Sequence, residues 1–204
     1  ISSSIEVISP VSETFRSLPC GHIRSTAPEG EEHRLLYLTT EDYANIDDID
    51  LRGHVILAEM SYAPPVPEKA RLLSEHGAAG MICMNWGNDE DVICNRAIKT
   101  VWGNPTEETF PKIPNLIAVG VTHNAGLRLK SLCQSCDVRI RISARGDNLW
   151  QEVEMPFGIL RGNGRTKEFL LVASHLDAWQ PGVTCNATGN GLTLELCRVL
   201  AAHR

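Results

Sequence analysis

No apolar run in the sequence approaches the roughly 20 residues that a bilayer-spanning helix needs, so the chain offers no membrane segment. Basic residues are also too few for a nucleic-acid partner. The 19 Lys and Arg stand against 25 Asp and Glu, the formal charge is −6, and no local Lys/Arg cluster compensates. The start, Ile1-Ser2-Ser3-Ser4, lacks the basic and apolar regions of a signal peptide and does not begin with Met, so the chain reads as an excised or processed piece. Asn163-Gly164 and its neighbours lack the spacing of a phosphate-binding loop, which removes any nucleotide reading. Cys133-x-x-Cys136 has no second such pair, whereas zinc commonly takes four ligands. That pair reads as incidental, with a redox or disulfide role as the alternative.

What is present suits one domain or a domain plus a fragment: 204 residues, 43% of them apolar, are enough for a real core. The seven cysteines, at 20, 83, 94, 133, 136, 185 and 197, form an odd set without a compact disulfide framework. Cys83 lies in an apolar run and Cys197 on the apolar face of a helical pattern, where reduced cysteine behaves as a small hydrophobe. Free-cysteine usage points to a reducing, cytoplasmic compartment.

Taken in order, Ile5 to Ile8 alternates as a short strand closed by Pro10, and His33 to Thr39 gives another around Leu35-Leu36-Tyr37-Leu38. Asp42 to Asp50 is acidic and reads as a solvated surface loop. Leu51 to Leu57 runs from a turn glycine into a β-branched strand. Glu68 to His76 forms an amphipathic helix with Ala70, Leu72 and Leu73 inward and Gly77 as its stop, and Ala78 to Met84 forms a strand. That spacing predicts a βαβ unit. Gly87 to Glu108 is irregular, with Asp89-Glu90-Asp91, Trp86 and Trp102.

Thr122 to Leu132 then predicts a helix with Ala125, Leu129 and Leu132 on one face. Val138-Arg139-Ile140-Arg141-Ile142 alternates strictly as an antiparallel or edge strand. Arg139 and Arg141 share its exposed face, either as a solvated surface or as a binder of substrate carboxylates. Leu149 to Leu160 reads as a strand, Arg161 to Arg165 as a tight Asn-Gly turn and Phe169 to Ala173 as the returning strand. Leu192, Leu196, Val199 and Leu200 give a final helix.

The chemistry concentrates just beyond Phe169 to Ala173. An apolar strand there would deliver His175 and Asp177 into the loop past its carboxyl end, where open α/β sheets gather ligands. In a His-x-Asp pair the imidazole can bind a metal while the carboxylate orients it. Without further context, a loop histidine hydrogen-bonded to Asp177 is equally ordinary. Asn186-Ala187-Thr188 is also a formal glycosylation sequon.

Ser174-His175-Leu176-Asp177-Ala178-Trp179 and Gly182-Val183-Thr184-Cys185-Asn186-Ala187-Thr188-Gly189 resemble the start of the active site in two-zinc exopeptidases. That family includes leucine-type aminopeptidases, glutamate carboxypeptidases and, as a non-catalytic relative, the transferrin receptor. The resemblance implies that His175 is a ligand of one zinc ion and that Asp177 serves catalysis by orienting it. Position 185, where the family places the aspartate bridging both ions, carries Cys185 here. It is either a zinc thiolate or a residue without a metal role. The family's Glu-Glu pair, further Asp and final His have no counterpart in the 204 residues.

A second resemblance lies upstream. The order Leu51-Arg52-Gly53-His54-Val55-Ile56-Leu57, Lys69-Ala70, Gly77-Ala78-Ala79-Gly80-Met81-Ile82 and Ile113-Pro114-Asn115-Leu116-Ile117-Ala118-Val119 is similar to a protease-associated domain. In such inserts, irregular segments like Gly87 to Glu108 overhang the active site; here that segment is equally read as a loop folded on its own aromatics.

The expected fold class is therefore α/β. A lead-in segment at 1–29 precedes a protease-associated domain at 30–145, a small sheet with flanking helices. The truncated start of a mixed-sheet α/β zinc-peptidase domain follows at 146–204. Two functions follow from the resemblance. One is a fragment of a zinc-dependent exopeptidase acting on a peptide substrate, inactive as this chain alone. The other is a non-catalytic module that binds a protein partner. The resemblance also allows a secreted or membrane-anchored parent. Three strands and a helix leave an unpaired edge, so the last 60 or so residues are expected to pack on the insert or on a second copy of the chain.

Overall fold

The computed structural model describes residues 2–61, 63–87, 92–94, 96–101, 103–178 and 182–203. Among these residues lie seven strands: β1 (Ser2–Ser9), β2 (Glu13–Pro19), β3 (Glu31–Leu38), β4 (His54–Glu59), β5 (Gly80–Met84), β6 (Ile117–Val121) and β7 (Val138–Arg145). They close into a barrel in the order β1-β2-β6-β5-β4-β3-β7, and β7 pairs back onto β1. Strands β3 to β6 are parallel neighbours and the remaining pairs are antiparallel. Closure leaves none of these strands with a free edge.

Burial explains the two kinds of strand sequence. In β1 and β7 every second residue turns into the barrel, as Ile5 and Val7 do in β1 and Val138, Ile140 and Ile142 in β7. Strands β5 and β6 are buried at every position, as parallel strands are when helices cover their outer face. On β5 that cover comes from α1 (Val66–Glu75), whereas α2 (His123–Ser135) packs against β3, β4 and β5 on the Met84 side, the face that Tyr37 and Glu59 share. The expected βαβ unit is thus β4-α1-β5, in parallel register from Val55 opposite Gly80 to Glu59 opposite Met84.

Helix α2 sits so close to β5 that a Cβ at Gly126 would lie 2.0 Å from Met84 Cγ. Its inward positions are Gly126, Leu129 and Leu132. Thr122 caps it, the side-chain oxygen accepting the Ala125 N–H at 3.2 Å.

Several expectations change. The acidic stretch after β3 is not a solvated loop. It coils as a 3-10 segment, Glu41–Asp48, that turns Tyr43 and Ile46 into the core. Asp42 starts it by accepting from the Thr39 N–H at 2.6 Å and the Thr39 hydroxyl at 2.9 Å. Residues 1–29 contribute two barrel strands, where sequence alternation announced one. Helix α1 buries Lys69 beside Ala70 and Leu73, while Leu72 is half-buried. The Lys69 ammonium, its pKa lowered by burial, donates to the Glu59 carbonyl and to Ser61 Oγ and lies 5.2 Å from the centre of the Tyr43 ring. A buried cation is tolerated only with such partners.

The chain divides into two compact units, Ile1–Leu149 and Trp150–Arg204. The second contains no strand among its described residues. Val183–Ala187 coils as a π-type turn and leads into α3 (Thr188–Ala202). The strands expected at 149–160 and 169–173, and with them the start of a mixed sheet, do not form. Phe169 is 83% and Leu170 94% exposed. What forms of the expected turn is a bend: Gly164 takes φ +78° and Asn163 Oδ1 accepts the Arg165 N–H at 3.1 Å, without a positive φ at Asn163. A turn alone cannot hold two strands, because an isolated hairpin is marginal in water. Among the described residues no helix is long and apolar enough to cross a membrane.

Candidate functional site

The second unit brings His175, Asp177 and Cys185 together. His175 Nδ1 lies 2.8 Å from the Asp177 carbonyl oxygen and 3.2 Å from Asp177 Oδ1. Its other nitrogen, Nε2, faces Cys185 Sγ at 3.6 Å. Both oxygens accept, so Nδ1 carries the proton and Nε2 presents its lone pair to the sulfur. The cluster is open to solvent, with the His175 side chain 50% and the Asp177 side chain 92% exposed.

The segment Gly182 to Gly189 supplies the frame. Asn186 reaches back so that Nδ2 donates to the His175 carbonyl at 3.1 Å, fixing the loop that carries the imidazole. That reach needs Gly189, where a Cβ would lie 2.2 Å from Asn186 Oδ1. Ser174 is tied to α3 through its hydroxyl, 2.6 Å from Asn190 Oδ1. Sequence reasoning took Asn186 and Gly189 only as parts of a motif. Their roles as strap and clearance depend on a side chain crossing the start of a helix, which spacing does not reveal. Trp179, inside the same motif, lies outside the described residues.

The metal reading is tested by the donor set. Two nitrogen and sulfur ligands of one tetrahedral zinc ion stand about 3.6 Å apart, given bond lengths near 2.05 and 2.3 Å. The His175–Cys185 pair therefore has the right spacing for two ligands. Yet no group of three or more His, Cys, Asp or Glu side chains converges on a point among the described residues. Zinc takes three or four protein ligands, so the donor set does not fit a resident zinc ion.

The other candidates resolve into structure. Arg141 binds Glu6 at 2.9 Å and Glu32 at 2.5 Å, and Arg139 lies 3.7 Å from Glu32. Carboxylates of neighbouring strands thus occupy the face on which a substrate carboxylate was considered. Cys136 Sγ donates to the Leu132 carbonyl at 3.2 Å, and burial pushes the half-buried Cys133 thiol up to about 11. Cys20 and Cys83, both buried, share a hydrogen bond. With burial, that bond holds the Cys20 thiol well above its usual range. Trp86 is 45% exposed with the Arg96 guanidinium 5.8 Å from its ring centre. In the loop that follows, the side chains of Ile93 and Ile98 are buried; Asp89-Glu90-Asp91 and Trp102 lie outside the described residues.

No family model and no curated protein matches the chain. Among solved structures, it is similar in fold to a peptidase M28 precursor from Shewanella amazonensis SB2B, with a TM-score of 0.52 and 16% identity over 69% of this chain and 33% of that one. An aminopeptidase from Aneurinibacillus sp. strain AM-1 gives 0.51 and 17% over 70% of this chain and 30% of that one. BSAP, a zinc aminopeptidase from Bacillus subtilis, gives 0.50 and 15% over 70% and 31%. The chain thus spans about a third of the length of each. What the likeness shows is a mixed α/β fold shared with part of those proteins.

Proposed function

We propose that the chain is part of a zinc-dependent exopeptidase of the aminopeptidase type, comprising a protease-associated insert and the first part of the peptidase domain. The observation that carries this reading is the His175–Asp177 pair, hydrogen-bonded through Nδ1 at 3.2 Å, in a chain whose fold is similar to that of two aminopeptidases, one of them a zinc enzyme. A zinc ion completed by donors from elsewhere in such an enzyme, with His175 as one of its ligands, would supply Lewis-acid polarisation of a carbonyl and activation of water. This chain's own contribution is limited to placing an imidazole whose Nε2 faces Cys185 and whose tautomer Asp177 fixes. With two donors assembled, the chain alone hydrolyses no peptide.

A second reading, a non-catalytic module that binds a protein partner or a second copy, is favoured by the thiol at position 185 and by the exposed apolar side chains of 150–203. Val153, Met155 and Phe157 are each more than 80% exposed. The two readings separate on the zinc content of the purified chain, measured by elemental analysis beside His175→Ala and Cys185→Asp, with hydrolysis of leucine p-nitroanilide followed in parallel. Zinc taken up by Cys185→Asp and lost on adding His175→Ala supports the exopeptidase lineage. No zinc in any form supports the binding module. Peptide hydrolysis by the unaltered chain rejects the claim that it is inactive alone.

A further inference from the structure

We infer that Cys185, His175 and Asp177 form a metal-independent nucleophilic site that accepts acyl groups from esters. This does not rest on the zinc reading. Three contacts carry it: Cys185 Sγ to His175 Nε2 at 3.6 Å, His175 Nδ1 to Asp177, at 2.8 Å from its carbonyl oxygen and 3.2 Å from Oδ1, and Asn186 Nδ2 to the His175 carbonyl at 3.1 Å. Nucleophile, base and orienting carboxylate in that order are what covalent acyl transfer requires, whatever the fold that presents them. A zinc site would need further donors, whereas a thiol site is complete with these three side chains. The exposure of Cys185 leaves the sulfur open to a substrate.

The step balances without a co-reactant. Cys185 Sγ attacks the ester carbonyl carbon while the thiol proton passes to His175 Nε2. The new C–S bond remains as the C–O bond breaks, and the alcohol leaves with the proton returned from Nε2. Water then attacks the thioester, giving one proton to Nε2; the C–S bond breaks, the carboxylic acid departs and the proton goes back to sulfur. Asp177 is a positioning residue throughout, holding the protonated Nδ1 and stabilising the ring when it carries two protons.

The test uses the whole chain in EDTA with p-nitrophenyl acetate, following phenolate release and mapping acetyl groups by mass spectrometry. Two other exposed thiols, Cys136 and Cys197, are comparators in the same molecule. Acetylation of Cys185 is expected to outpace both, and His175→Ala to slow it by about a hundredfold without changing the comparators. Asp177→Asn slows Cys185 as well, and Asp177→Glu, which keeps the carboxylate, restores part of the rate. A Cys185 no faster than Cys136 and Cys197, or one indifferent to His175→Ala, overturns the proposal. With metal chelated throughout, that failure says nothing against the zinc reading, which stands or falls on zinc content.

Discussion

Val138-Arg139-Ile140-Arg141-Ile142 and Phe169-Leu170-Leu171-Val172-Ala173 are segments of equal length, and the second is the more apolar. Only the first is buried. Ile140 and Ile142 are fully enclosed in β7, whereas Leu171 is 80% exposed. The difference lies in neighbours: β7 is hydrogen-bonded to β1 on one side and β3 on the other. Residues 169–173 have no strand partner among the described residues. Apolar character creates a demand for burial, but a strand forms only where other chain can satisfy its backbone N–H and C=O groups.

The strongest way to break that contrast is to delete equal volumes from both segments. Ile140→Ala, in a fully enclosed site, is expected to destabilise the barrel by about 2–5 kcal/mol in chemical denaturation. Leu170→Ala, 94% exposed, is expected to shift the same transition by no more than about 0.5 kcal/mol. Comparable losses at the two positions would mean that residues 169–173 are buried in solution.

The same contrast sets how far the fold was legible. Leu51 to Leu57, Glu68 to His76 and Ala78 to Met84 announced a βαβ unit because period, glycine stop and length all agreed. Glu13–Pro19 went unseen because its inward positions are Phe15 and Ser17, with Arg16 between them. Barrel closure was invisible too: that β7 bridges β1 and β3 depends on pairings across more than 100 residues of sequence. At the site, His175 and Asp177 were found by motif. That Cys185 faces the imidazole is a fact of the turn at Val183–Ala187, which carries no hydrophobic period to read. Lys69 was missed because an amphipathic count assigns lysine to solvent, and only the Glu59 carbonyl and Ser61 hydroxyl reveal why it can be buried.

One substitution made in both units sharpens the contrast through its sign. Gly126→Ala places a methyl against the buried Met84 side chain, 2.0 Å from Cγ and 2.7 Å from Cβ, so α2 or the methionine must move. A loss of about 1–3 kcal/mol is expected for such overpacking. In α3, nothing lies within 4 Å of a Cβ at Gly191. There Gly191→Ala is expected to stabilise the helix by roughly 0.5–1 kcal/mol, seen as increased helicity by circular dichroism, because alanine loses less backbone freedom than glycine.

The smallest expected effect separates two histidine–aspartate pairs by what faces the second ring nitrogen. In the first unit, His76 caps α1 with Nδ1 2.7 Å from the Leu72 carbonyl and Nε2 2.8 Å from Asp47 Oδ1. Both partners accept, so the ring is favoured in its doubly protonated form; the Asp47 bond, then the Leu72 carbonyl, raises its pKa. A raised folded pKa stabilises fully below the unfolded value of about 6.5, and the contribution fades as pH rises through the folded value. Barrel stability is therefore expected to decline over that window, and His76→Gln to flatten the decline. Since the Asp47 side chain is 93% exposed, the contribution should be no more than roughly 0.3–1 kcal/mol at low salt and should shrink as salt is added. His175 has the same kind of carboxylate partner on one nitrogen but the Cys185 thiol on the other. A pH slope that survives His76→Gln unchanged would place its origin outside the α1 cap.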